Sequence, residues 1–195
     1  MRNKALLLIA AALLLAVGTV TAGSNMGFKI SIPLTAGYRN FVALPYFNQY
    51  TDANSVFNDI PNCQSVTRWD NPSGSWQTWN GARGINFTLN KGESLLIQVN
   101  ANTNWVVVGA HDPTFALPLT AGYRNFVSVP YHSTATNAND LFNQIPNCQS
   151  VTRWDNPSGS WQTWNGARGT DFTFTPGEGI LVQVNSSGNW IPAHY

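Results

Sequence analysis

Twenty-four residues, Pro61–Gly84 (PNCQSVTRWDNPSGSWQTWNGARG), recur unchanged at Pro146–Gly169, 85 positions further along the chain. Other segments fall into the same register. Leu34–Val42 matches Leu119–Val127, Pro45-Tyr46 matches Pro130-Tyr131, Cys63 matches Cys148, and Trp105 matches Trp190. A fixed period of this size means two copies of one structural unit. A unit of about 85 residues is large enough to bury a small core of its own. The chain is therefore expected to form two small domains in tandem, repeat 1 over residues 23–111 and repeat 2 over 112–195.

Residues 1–22 stand outside the repeat. Arg2 and Lys4 precede the apolar run Ala5–Val17, and small residues follow up to Ala22. A basic start, a short apolar stretch and a small-residue exit are the marks of a secretory signal peptide. The run is shorter than the roughly 20 residues a spanning helix needs. Cleavage is expected after Ala22, giving a secreted or cell-surface protein with no membrane span. Loss of Arg2 and Lys4 leaves eight basic against nine acidic side chains. So low a charge argues against nucleic acid, which needs a basic footprint. No cofactor motif and no metal-ligand spacing occurs, and His111 and His194 follow their tryptophans at different distances.

Within one copy the signals are those of short strands. Lys29–Leu34, Arg39–Tyr46, Asn86–Leu89, Glu93–Val99 and Asn104–Val108 alternate or carry β-forming residues. Thr51–Ile60 is the one helical signal, with Thr51 as cap and Pro61 as stop. Asn71-Pro72-Ser73-Gly74 closes a hairpin between Ser65–Asp70 and Ser75–Trp79. Its register pairs Asp70 with Ser75, Trp69 with Trp76, Arg68 with Gln77, and Val66 with Trp79. The expected fold is mainly β: two copies of a small sandwich or partial barrel, each with one short helix.

The order of these signals resembles a β-rich repeat domain found in tandem in secreted and cell-surface bacterial proteins. The motifs that carry the likeness are Asn40–Tyr46, Thr51–Ile60, Val66–Trp79, Phe87–Val99 and Trp105–His111, with equivalents 85 residues later. They are structural signatures, and the resemblance implies no catalytic residues.

The hairpin register divides the aromatic side chains between two faces. Trp69 and Trp76 share one with Thr67 and Thr78, which reads as the inner face. Trp79 shares the other with Arg68, Gln77 and Asp70, so Trp79 and its copy Trp164 are the expected exposed rings. The candidate ligand or partner surface is then Trp79, Arg68 and Gln77, with Trp164, Arg153 and Gln162. Asp70 and Glu93 sit at turns and read as turn residues, not as an acid–base pair. Without a nucleophile–base set the chain reads as non-enzymatic. Cys63 and Cys148, one per copy, are left either as a disulfide or as free or intermolecular thiols.

The functional expectation is a secreted structural or adhesive surface protein. It would self-assemble head to tail, with a free Gly23–Leu34 segment adding to the next molecule as His111–Leu119 does within this one. The alternative is a carbohydrate-binding module using exposed tryptophan. The partner is accordingly another copy of the chain, or a cell-surface or glycan component.

Overall fold

The computed structural model describes residues 27–110, 112 and 114–193. The signal segment, the cleavage point after Ala22, residues 23–26, His111 and His194 lie outside the described residues. The molecule is mainly β, with two short helices and four sheets in two similar pairs. In repeat 1 a four-stranded antiparallel sheet has the order β2 (Asn40–Ala43), β5 (Ser94–Val99), β3 (Cys63–Asp70), β4 (Ser75–Trp79). A two-stranded ribbon joins β1 (Gly27–Leu34) to β6 (Thr103–Ala110). Repeat 2 repeats the plan with β8 (Asn125–Ser128), β11 (Gly179–Val184), β9 (Cys148–Asp155) and β10 (Ser160–Trp164). Its ribbon, β7 (Leu117–Leu119) with β12 (Gly188–Trp190), is shorter.

Each copy owns its core. One cluster gathers Leu34, Val42, Val56, Val66, Leu95, Ile97, Trp105 and Val107. The other gathers Leu119, Val127, Leu141, Val151, Ile180, Val182 and Trp190. Sheet, ribbon and helix each give one apolar stripe, so the core closes on one face of the sheet.

The helices are α1 (Ala53–Asp59) and α2 (Ala138–Gln144). They are capped one residue later than expected. Asp52, not Thr51, accepts from the Ser55 N–H, and Asn137 accepts from that of Asp140. Thr136 instead bonds the Asp140 carboxylate. The hairpin register is as read: Asp70 opposes Ser75, Trp69 opposes Trp76, Arg68 opposes Gln77, and Val66 opposes Trp79.

Asn86–Leu89 does not become a strand. Its backbone is used by the chain entering α1, through Ala53 N–H to Phe87 O and Leu89 N–H to Thr51 O. Arg68 takes the Thr88 carbonyl. One isolated bridge, Asp52 to Thr88, is all the pairing left. Phe87 is nonetheless buried in the core.

The copies differ under the helix. Trp105 is 1 % exposed, and its Nε1–H donates to Asp59 Oδ2 at 2.7 Å. Tyr50 donates to the same oxygen at 2.6 Å. In repeat 2 those positions are Gln144 and Ala135, and both Trp190 Nε1 and Gln144 Oε1 are buried without a hydrogen-bond partner among the described residues. An unmet buried donor costs about 1–3 kcal/mol. Trp190→Phe is therefore expected to cost at least about 1 kcal/mol less than Trp105→Phe. Urea unfolding of the two single variants measures the difference.

Candidate functional site

The two copies meet through contacts that occur in pairs, each the reciprocal of the other. Asn71 Oδ1 accepts the Arg124 N–H at 2.9 Å, while its Nδ2 donates to the Arg124 carbonyl at 3.2 Å. Asn156 makes the same two bonds to Arg39 at 2.9 and 3.2 Å. Ala43 N–H donates to Gly177 O and Ser128 N–H to Gly92 O, both at 2.8 Å. Val42 bridges Glu178, and Glu93 bridges Val127. Such reciprocity defines an approximate two-fold axis between the copies.

This seam differs from the head-to-tail junction expected above. A two-fold contact is self-complementary and closes on itself within one chain. The residues 27–34 of the segment taken as free are paired along their whole length with β6 of their own copy.

A ladder of six rings crosses the seam. Trp69 meets Trp76 edge-on at 5.2 Å between centroids. Trp76 meets Phe126 at 5.3 Å. Phe126 stacks on Phe41 at 5.6 Å, with planes 6° apart. Phe41 meets Trp161 at 5.3 Å, and Trp161 meets Trp154 edge-on at 5.2 Å. A guanidinium closes each end: Arg124 lies 4.4 Å over Trp69, and Arg39 lies 4.5 Å over Trp154. These separations lie in the range where offset and edge-to-face pairs are attractive.

The inner and outer faces of the hairpin are the reverse of those expected. Trp76 and Trp161 are each 40 % exposed. Trp79 and Trp164 are half-buried against the cores of their copies. Trp79 Nε1–H donates to Asn54 Oδ1 on α1, and Trp164 does the same to Asn139 on α2. The polar neighbours of Trp79 satisfy one another. Arg68 Nε donates to Gln77 Oε1 at 2.9 Å, and its guanidinium lies 4.7 Å over Phe87. Arg153, Gln162 and Phe172 repeat this. A paired polar side chain is acceptable inside, so the charged face turns to the core. The expected surface of Trp79, Arg68, Gln77, Trp164, Arg153 and Gln162 is thus an inward-facing assembly.

The outward face carries Trp76 beside the exposed Thr78, and Trp161 beside Thr163. Thr67 and Thr78 are hydrogen-bonded across the strands at 3.0 Å, as are Thr152 and Thr163. Ser73 and Ser75 pair at the hairpin tip. Two grooves flank the ladder. One, of about 420 Å³, runs between Trp69, Asn71, Tyr123 and Arg124. Its mate, of about 180 Å³, runs between Arg39, Trp154, Asn156 and Glu178.

The carboxylates at the seam are committed to turns and to arginine. Asp70 accepts the Ser73 N–H, and Glu93 accepts the Asn90 N–H. Both lie 3.9 Å from Arg68. Burial lifts the Glu93 carboxyl above its ordinary 4.5, against the pull of Asn90 and Arg68. It lifts Glu178 in the same way. A carboxyl raised in the folded state holds its proton more tightly there than in the unfolded chain. Its contribution to stability is full below about pH 4.5 and is lost as the pH rises through the folded value. Asp52 and Asp112 are lowered, chiefly by bonds from Ser55 and Lys91, and act in the opposite sense below 3.8. Glu93→Gln with Glu178→Gln is expected to flatten the decline in stability above pH 4.5. Urea midpoints from pH 4 to 7 show whether it does.

Cys63 and Cys148 are unbridged. Each thiol points at a carbonyl of its own copy, Gln98 O or Gln183 O at 3.9 Å. Burial pushes each thiol up to about 12. The thiolate is the reactive form, so both thiols are expected to resist a thiol reagent at pH 8 and to react fully in urea. Fast labelling of the native protein is the contrary result.

Among the described residues no helix is long and apolar enough to cross a membrane, and no three His, Cys, Asp or Glu side chains gather as a metal site. No protein-family profile, no characterised protein and no solved structure matches the chain.

Proposed function

We propose that the protein is a non-enzymatic attachment protein that acts outside the cytoplasm, at the cell surface, and adheres to carbohydrate through the ring ladder. The observation that carries this reading is the pair of half-open indoles, Trp76 and Trp161, set on one strip across the two-fold. Sugar rings offer flat C–H faces edged by hydroxyls. An indole face fits the first, and the exposed Thr78 and Thr163 hydroxyls on the same face fit the second. Two equivalent indoles on a single rigid unit suit a polymer with repeating rings better than a lone sugar. The near-neutral composition agrees with adhesion that does not depend on bulk charge.

The test is retention of the mature protein on insoluble polysaccharides. Binding that disappears in Trp76→Ala with Trp161→Ala, at unchanged fold, supports the reading. No retention on any polysaccharide removes it.

A second reading rests on the ribbon. Val106 and Val108 of β6 are 42 % and 62 % exposed, and β1 and β6 form a sheet of only two strands. Exposed apolar strands with open edges invite strand addition, which would make the protein self-assembling. Sizing at high concentration separates the two, since a strict monomer excludes assembly and leaves adhesion standing.

A further inference from the structure

Four of the five charged side chains lining the larger seam groove have partners. Arg68 is shared by Asp70 and Glu93, both at 3.9 Å. Lys91 is held by Asp112 at 3.0 Å. The exception is Arg124, which forms no ion pair and no side-chain hydrogen bond among the described residues. The smaller groove is alike: Glu178 lies 3.8 Å from Arg153, and Arg39 is its charge without an ion pair among the described residues. Both arginines are exposed, but neither is loose at its base. The backbone of each is gripped on both sides by an asparagine of the other copy. Each guanidinium carbon lies over a tryptophan ring, 4.4 Å from the Trp69 centroid for Arg124 and 4.5 Å from that of Trp154 for Arg39. Stacking uses the face of a guanidinium and leaves its N–H edge, a planar fork, free to take a bidentate oxyanion.

From these grooves we infer that the polymer is anionic, a polysaccharide bearing carboxylate groups such as a polyuronate. Its carboxylates would sit on the Arg39 and Arg124 forks while its sugar rings lie on Trp161 and Trp76. The inference rests on the carbohydrate reading and narrows it. The two forks are related by the same approximate two-fold as the indoles, so one polymer chain crossing the seam meets ring, ring and a cation at either end. Charge complementarity here is local. The molecule as a whole is close to neutral, and within the two grooves Arg124 and Arg39 are the cations without an ion pair among the described residues.

The probe is polygalacturonate, compared with the same polymer fully methyl-esterified, which keeps the rings and removes the charge. At low ionic strength the mature protein should bind the acid form about a hundredfold more tightly, roughly tenfold from each arginine. The preference should shrink as salt screens exposed charges. In Arg39→Gln with Arg124→Gln the ratio of the two affinities should fall to about one. Arg39→Lys with Arg124→Lys keeps the charge but loses the fork, and should recover only part of the ratio. Equal binding of both polymers by the unaltered protein overturns the inference while leaving the carbohydrate reading intact. So does a ratio that the glutamine variant preserves. Binding of neither polymer, nor of any other polysaccharide, overturns both.

Discussion

Gly84→Ala is expected to lower the melting temperature by roughly 6–12 °C, the equivalent of about 3 kcal/mol in a chain of this size. Two effects add. Gly84 has φ +101°, where an L side chain is strained by about 1–3 kcal/mol. The new Cβ would also run into the Thr78 carbonyl oxygen, which is backbone and is already taken by the Ile85 N–H. A flexible side chain would yield to such a contact, but a strand carbonyl has nowhere to go. Gly169 stands in the same relation to Thr163, at φ +104°. Gly74→Ala is the control. Its φ is +62° and nothing lies within 4 Å of the new methyl, so the expected loss is about 1 kcal/mol. Equal losses at the two positions would mean that the loop after β4 is not folded back against Thr78. Thermal unfolding of the two variants makes the comparison.

Much of the fold could be read from the chain. The period gave two copies, and turn chemistry gave the hairpin with each of its cross-strand pairs. The alternation of Leu95, Ile97 and Val99 gave the core face of β5. What could not be read was the side of the hairpin that turns inward. Arg68 and Gln77 beside Trp79 look like a solvated face, but each finds its partner on the neighbouring strand, and Arg68 covers Phe87. Their polarity is spent internally. Conversely, Trp69 and Trp76 look like core until a second copy is placed beside them. Their neighbours Phe126 and Arg124 lie about fifty residues away in sequence, and no local periodicity carries that contact. The hint was Phe41, with its copy Phe126. It sits between Asn40 and Val42 on a strand whose other face fills the core, so it must point outward onto something apolar. The two-fold seam was hidden for the same reason. Identical copies are equally compatible with a translation, and only the reciprocal Asn71–Arg124 and Asn156–Arg39 bonds decide between them.

Replacing Trp76 and Trp161 together by alanine is expected to abolish polysaccharide binding while leaving the fold in place. A tryptophan at the centre of a contact surface commonly carries about 2 kcal/mol or more. Loss of two therefore weakens binding roughly a thousandfold. Their loss also costs stability, because each ring, though 40 % exposed, makes three ring contacts across the strip worth about 0.5–1.5 kcal/mol per pair, but each copy keeps its own core. Trp79→Ala with Trp164→Ala should do the opposite. Those rings pack on the two cores and tie α1 and α2 to the hairpins, so each truncation costs about 3 kcal/mol of stability.

The most direct measurement is affinity for one insoluble polysaccharide, set beside the melting temperature, for the unaltered protein and these two double variants. The outward-ladder account predicts that Trp76→Ala with Trp161→Ala loses binding while both copies remain folded. Trp79→Ala with Trp164→Ala should melt earlier than the unaltered protein and, wherever it is still folded, bind as before. Binding that survives loss of Trp76 and Trp161 but vanishes with Trp79 and Trp164 in a folded protein would contradict it.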